Sequence, residues 1–201
     1  MTTRAPHALV VLAHPRGDSL TARIADRTRE RLVAEGHTVD LLDLGVEGFD
    51  PRMTTEDEPD WSDRDKVYSP QVRAHMARIE AADTIVVVFP VWWFGLPALL
   101  KGWVDRVWNY GFAYGRSRPR LAGKRMLWVG LAGYSRAHFA AGGWADLIEQ
   151  QLTVGISRFS GIEDARLHLV YDTVATGAHD TELLASADAA VGEFARPPAT
   201  V

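Results

Sequence analysis

Four stretches carry residue types that can bind or react. They are His14-Pro15-Arg16-Gly17-Asp18-Ser19, Phe89-Pro90-Val91-Trp92-Trp93-Phe94-Gly95-Leu96-Pro97, Gly130-Leu131-Ala132-Gly133-Tyr134-Ser135 and His138. The first joins an imidazole and a hydroxyl to the start of a helical pattern. Free N–H groups at a helix start suit a phosphate and stabilise a nearby anion by roughly 0.3–2 kcal/mol. The second puts three aromatics in one loop, where they can face a planar cofactor. The third has small residues that let a ring lie close to backbone. His138 can hold or release a proton near neutral pH. Each stretch also has a structural reading. Ser19 can be only a helix cap, His14 a strand-end histidine with its hydrogen bond satisfied, and the glycines a turn. Trp92, Trp93 and Phe94 can be core or dimer-interface residues.

The elements around these stretches follow from hydrophobic patterning. Ala8–Ala13, His37–Leu42, Ile85–Phe89, Met126–Leu131 and Arg166–Tyr171 read as five strands, the central ones continuous apolar runs, as in a buried parallel sheet. Leu20, Ile24, Thr28 and Leu32 recur every four residues and mark one helix, with Asp18 or Ser19 as N-cap and Gly36 as its end. Val72, Met76 and Ile79 mark a second. Leu99/Trp103/Val107 and Leu100/Val104/Trp108 give a third helix two apolar ridges, opened by Pro97. So broad a face predicts burial against both the sheet and another subunit, with a deep core position as the alternative. Trp144, Leu147, Ile148, Gln151, Leu152 and Ile156 predict a fourth helix, and Leu183–Phe194 a fifth, ended by Pro197-Pro198. Residues 43–68 lack periodicity, and Glu56-Asp57-Glu58-Pro59-Asp60 reads as a solvated excursion, with a partner-docking or lid segment as the alternative.

Strands alternating with helices predict an α/β domain, a doubly wound sheet, spanning residues 1–201 as one unit. In the strand order 2-1-3-4-5 the ends of strands one, three and four are neighbours, and FMN binds such sheets at that switch point. The binding stretches fall at those three ends. With 26 acidic and 22 Lys and Arg residues the net charge is −4, and no basic run suggests a nucleic acid or an anionic membrane surface. Cysteine is absent, which excludes disulfides, thiolate metal sites and thiol redox chemistry. The apolar run at 8–13 is too short to span a membrane, and no signal-peptide pattern precedes it, so a cytoplasmic location is expected.

Leu12-Ala13-His14-Pro15 with Ser19, the block from Phe89-Pro90 through Trp93-Phe94-Gly95, Pro97, Leu99-Leu100-Lys101, Trp103 and Asp105-Arg106-Val107, and Phe112-Ala113-Tyr114 together resemble the NAD(P)H:quinone oxidoreductase family. Gly111–Gly115 and Ala137-His138-Phe139 are similar to its bacterial subgroup that includes the ancillary oxidoreductases of glutathione-gated potassium efflux. The resemblance implies a flavodoxin-like fold, a homodimer, and ping-pong transfer of a hydride from NAD(P)H through a flavin to a quinone or similar acceptor. It tilts the flavin towards FMN rather than FAD. It implies that His14, Ser19 and Leu20 meet the flavin phosphate and ribityl chain. Pro90, Val91, Trp92, Trp93 and Phe94 would hold the ring edge, largely by main chain. Gly130, Leu131, Ala132 and Gly133 would pack beside it. It makes His138 the residue for chemistry, where much of the family has a Tyr. Trp92, Trp93, Phe112, Tyr114 and Phe139 would shape the acceptor slot, some reaching across the dimer. Two departures stand out. Gly130-Leu131-Ala132-Gly133 replaces Thr-Thr-Gly-Gly, removing two hydroxyls, and Gly143 or Trp144 takes a position often polar. Arg16, Arg116, Arg118 and Arg120 are the residues that could meet a 2′-phosphate. A regulatory subunit docking on a membrane transporter through residues 56–60 is the alternative function. A one-electron flavodoxin-type carrier needs a hydroxyl-rich first loop, which is lacking here.

Overall fold

The computed structural model describes residues 4–174 and 180–196. Five strands, β1 (His7–Leu12), β2 (Thr38–Asp43), β3 (Thr84–Pro90), β4 (Arg125–Leu131) and β5 (Asp164–Val170), form one parallel sheet in the order β2-β1-β3-β4-β5. This is the flavodoxin-like order expected from the sequence. The inner strand β3 is buried along its whole length, which explains its unbroken apolar run. β2 lies at one edge of the sheet and is mostly half-buried, so its pattern is weaker.

Helix α1 (Leu20–Ala34) starts at Ser19, whose hydroxyl accepts from the Ala22 N–H at 3.1 Å. It ends at Gly36, where φ is +88°. Helix α6 (Asp180–Ala195) packs beside α1 on one face of the sheet, over Val10, Val86 and Val129. Helices α2 (Pro70–Ala81) and α3 (Ala98–Val107) share the other face, with Leu9, Val87 and Trp128 in the core beneath them. The Pro197-Pro198 stop lies outside the described residues.

Three expectations need correction. The wide apolar face of α3 needs no second subunit, because Leu100, Trp103, Val104, Val107 and Trp108 are all buried within this chain. Part of the cover comes from residues 49–57: Phe49 is in the core, and a Cβ at Gly102 would fall 2.2 Å from the Pro51 carbonyl oxygen. The excursion is therefore not simply solvated. Asp57 is fully buried and ion-paired to Arg106 of α3 at 2.6 Å, while Glu56, Glu58 and Asp60 stay exposed. The helix predicted from Trp144 forms without a break but changes its winding, from α5 (Trp144–Glu149) into a π-helical stretch Gln150–Ser157. Ser157 Oγ donates to the Leu152 carbonyl at 2.7 Å and accepts from Trp128 Nε1 at 3.0 Å, so the core fixes this wider winding. A short helix α4 (Arg136–Ala141), absent from the sequence reading, carries His138.

Candidate active site

The loop after β1 forms the first wall of a cleft over the carboxyl ends of the strands. His14 Nδ1 accepts from the Arg16 N–H at 3.1 Å and lies 3.2 Å from the Arg16 carbonyl, so the loop's own backbone holds the ring by that nitrogen, and Nε2 has no partner among the described residues. Ser19 is buried, and because its oxygen serves as cap acceptor, its O–H remains free to donate. The first N–H groups of a helix have no partner within it. Here Ala22 N–H goes to Ser19 Oγ and Arg23 N–H to the Ser19 carbonyl, so Leu20 and Thr21 present theirs outward. Two N–H groups, a hydroxyl and an imidazole nitrogen suit a phosphate.

The loop after β3 is a tight turn. Trp92 N–H donates to the Gly95 carbonyl at 3.2 Å, and Gly95 N–H to the Trp92 carbonyl at 3.1 Å. Trp93 and Phe94 between them have φ of +51° and +56°. Such a turn favours glycine or asparagine, and the left-handed conformation costs an L-residue about 1–2 kcal/mol. Val91 N–H is taken by the Leu131 carbonyl at 2.8 Å. Of the main-chain donors from Val91 to Gly95, only those of Trp93 and Phe94 have no partner among the described residues. The strain thus presents two adjacent N–H groups at a strand end. Phe94 is held from behind, stacked on Trp144 at 4.1 Å and edge-on to Phe139 at 5.8 Å. Trp93 is 97% exposed and packs on nothing.

The loop after β4 completes the cleft. Ala132 N–H is bound to the Val170 carbonyl at 2.7 Å, whereas the Gly133 and Tyr134 N–H groups have no partner among the described residues. The cleft encloses about 340 Å³, and its lining includes His14, Ser19, Leu20, Pro90, Val91, Trp92, Leu131 and Gly133. Thr173 and Val174, after β5, add a wall that the sequence reading missed. Nothing in that segment is periodic, and its one charged residue, Asp172, does not line the cleft, so only the strand order would have pointed to it. Arg16 and Thr21 also line the cleft.

The remaining expected residues do not share it. Gly130 and Ala132 are buried in and just after β4, and a Cβ at Gly130 would meet Leu169 at 2.9 Å and Val91 at 3.0 Å. Gly130 is therefore small for packing between strands, not for approach to a ring. Trp93 and Phe94 stand at the rim. Phe139 is buried against Phe94 and Tyr171. Phe112 is buried in the core and presents no face to the cleft. Tyr114 is half-buried in a cluster with Tyr110 and Phe159, and burial together with the Tyr110 phenol raises its pKa above the ordinary value. His138 is exposed between Tyr134 at 4.4 Å and Trp144 at 5.0 Å, its ring nitrogens without a protein partner among the described residues. Arg116 is paired with Asp65 and Arg120 with Glu80, away from the cleft, so Arg16 alone of the four arginines lines it.

The strand order is that of a flavodoxin-like fold, with the cleft over its strand ends, and comparison with known proteins agrees on the fold. The sequence matches the family described as flavodoxin-like fold over residues 6–194. It is 45% identical over 165 residues to YcaK, an uncharacterised NAD(P)H oxidoreductase of Escherichia coli K12, covering 82% of this chain and 83% of that protein. It is 31% identical over 186 residues to rat NAD(P)H dehydrogenase [quinone] 1, covering 82% of this chain and 68% of that one. Among solved structures, an NAD(P)H:quinone oxidoreductase from Methanothermobacter marburgensis superposes with a TM-score of 0.87 over 96% of this chain and 99% of that one, at 24% identity. The chain belongs to the flavodoxin-like family, among its NAD(P)H oxidoreductases and quinone reductases.

Proposed function

We propose that this protein is a flavin-dependent NAD(P)H oxidoreductase that reduces a quinone or similar planar acceptor by a ping-pong mechanism, with FMN as its flavin. The observation that carries this reading is a set of main-chain donors without partners among the described residues at three neighbouring strand ends: Leu20, Thr21 and Gly133 in the cleft lining, Trp93 and Phe94 in the turn at its rim, and Tyr134 next to Gly133 in the chain. Leu20 and Thr21, with Ser19 Oγ and His14 Nε2, fit a phosphate. Trp93 and Phe94 fit the acceptor atoms along one edge of a flat ring. Gly133 and Tyr134 lie where negative charge on such a ring would be stabilised, and this main-chain arrangement survives the loss of the two hydroxyls. Solved structures of the same fold from Bacillus anthracis and Treponema denticola are described as complexes with FMN, which supports the choice of flavin.

A bound flavin would supply the two-electron chemistry, taking a hydride from NAD(P)H and passing it to the acceptor. The protein's part is to hold the flavin, exclude water beneath it with Pro90, Val91 and Leu131, and manage a proton. His138, exposed beside Trp144 and with no hydrogen-bond partner for its ring nitrogens among the described residues, would exchange that proton with solvent or acceptor. Trp61 and Phe159, 69% and 65% exposed, flank Tyr110 and Tyr114 in a continuous aromatic surface. That surface supports a homodimer in which Tyr114 reaches a partner's acceptor slot. No helix among the described residues is long and apolar enough to cross a membrane. For the alternative of transporter docking, Asp57 of the acidic stretch is taken by Arg106, and Glu56, Glu58 and Asp60 are the acids left exposed.

Steady-state rates with NADPH or NADH against a benzoquinone test this reading. Parallel double-reciprocal lines at varied acceptor are expected. Intersecting lines would show that both substrates bind before either product leaves, and no turnover would overturn the assignment. His138→Phe is expected to slow acceptor reduction while leaving the rate with NAD(P)H unchanged, and equal rates in both half-reactions would remove His138 from the mechanism.

A further inference from the structure

We propose that Trp144 is the positioning residue that holds the Trp92–Gly95 turn in its left-handed form, and that Gly142 is small so that the indole can take that seat. The proposal rests on the reading of the cleft as a flavin site and names the residue that sets one of its donor pairs. Trp93 and Phe94 both occupy a region that favours glycine, at φ of +51° and +56°, so something outside the turn must hold them there. The two hydrogen bonds between Trp92 and Gly95 close the turn. Those same bonds can close a turn of the other hand, so they do not select this one. Trp93 cannot supply the selection, because its side chain is 97% exposed. Phe94 can, and its nearest ring is Trp144, at 4.1 Å with 25° between planes.

Trp144 has a seat built for it. A Cβ at Gly142 would lie 2.5 Å from indole Cε2 and 2.6 Å from Cδ2. Gly143 adopts φ of +66° and turns the chain from α4 into α5. Phe139 meets the indole edge-on at 6.0 Å, and His138 lies 5.0 Å from it. One indole therefore touches both the turn that presents the Trp93 and Phe94 N–H groups and the imidazole assigned to proton exchange. Displacing it would release the turn and uncouple the two. The effect runs through Phe94.

The test uses Gly142→Ala, Trp144→Ala, Trp144→Phe and Phe94→Ala in the full chain. Gly142 is right-handed, with φ of −90° and ψ of −7°, so alanine is allowed there and acts only by displacing the indole. Cα and Cβ chemical shifts of Trp93 and Phe94 in the flavin-free protein report the left-handed conformation without reference to cofactor. Left-handed shifts are expected in the parent and in Trp144→Phe, and averaged shifts in Gly142→Ala and Trp144→Ala. FMN titration should show affinity lower by roughly 2- to 12-fold in the last two, the range of one aromatic pair. Phe94→Ala should add little further loss on top of Trp144→Ala. If Trp144→Ala does not fold, Gly142→Ala decides the matter alone. Unchanged Trp93 and Phe94 shifts in Gly142→Ala would overturn the proposal whatever the flavin affinity. Averaged shifts in a protein that binds no flavin would sustain it and defeat the flavin assignment instead.

Discussion

Replacing Asp57 by alanine tests whether the acidic excursion is a solvated loop or a structural clamp. Its carboxylate is fully buried and accepts from Arg106 Nη2 at 2.6 Å and Nε at 3.2 Å, and from Ser69 N–H at 2.8 Å and Oγ at 3.0 Å. The substitution leaves the buried Arg106 guanidinium with no hydrogen-bonded carboxylate, held by the Asp50 carbonyl and the face of Phe49, and orphans the Ser69 N–H. Breaking a buried pair from one side costs about 3–5 kcal/mol. In a chain of this length each kcal/mol moves Tm by about 2–4 °C, so a fall of about 6–20 °C is expected. Urea unfolding at pH 7, followed by tryptophan fluorescence, measures the free energy directly. Asp57→Ala with Arg106→Met removes both charges and should be less destabilised than Asp57→Ala alone. A single variant within about 0.5 kcal/mol of the parent is the result for a solvated acid, and would refute the clamp. The pH dependence has a definite sign. Burial acts to raise the Asp57 pKa, but the bonds from Arg106 and Ser69 outweigh it and hold the carboxyl below 3.8. The stabilisation is complete above that unfolded value and is lost as pH falls through the lower folded one.

Other outcomes follow from single contacts. Ser19→Ala removes the cap of α1 and should cost about 0.5–2 kcal/mol, while also weakening FMN binding; a variant with full flavin affinity would remove Ser19 from the phosphate site. Trp93→Gly relieves a left-handed residue with no packed side chain, so it should raise stability by up to about 1 kcal/mol in thermal unfolding. A clear loss would show that the exposed indole is covered in solution. His75 accepts from Trp103 Nε1 at Nδ1 and faces Glu47 with Nε2, and burial, only partly opposed by Glu47, lowers its pKa below 6.5. The unfolded chain then takes up a proton that the folded one does not. Stability measured by urea unfolding should be full above about pH 6.5 and decline below it, towards the folded value. His37 and His168, also lowered by burial, act in the same window. A flat profile between pH 7.5 and 5.5 would contradict all three.

The sequence was most legible where the information is local. Continuous apolar runs marked β1, β3 and β4 because both faces of those strands are covered, and Ser19 and Gly36 marked the ends of α1 by their own side-chain and backbone chemistry. Pairing across the chain was not legible. Asp57 sits among exposed acids, and its partner Arg106 is 49 residues away, so nothing nearby distinguishes it from its neighbours. The α3 face looked too wide for one sheet because its second cover, Phe49 and Pro51, lies in a stretch without periodicity. The π-helical winding at Gln150–Ser157 leaves apolar spacing close to that of an α-helix, and only the bond from Trp128 reveals why the turn is wider. In the site, residue types located the loops. They did not show which amides are already spent: those of Val91 and Trp92 are bound within the protein, while those of Trp93 and Phe94 have no partner among the described residues.

The flavin assignment is tested most directly by the protein's own colour. The chain should purify yellow, or become so on adding FMN, with flavin absorbance and one cofactor per chain whose released mass is that of FMN. A colourless protein that neither FMN nor FAD reconstitutes, although folded by its tryptophan fluorescence, would contradict the account.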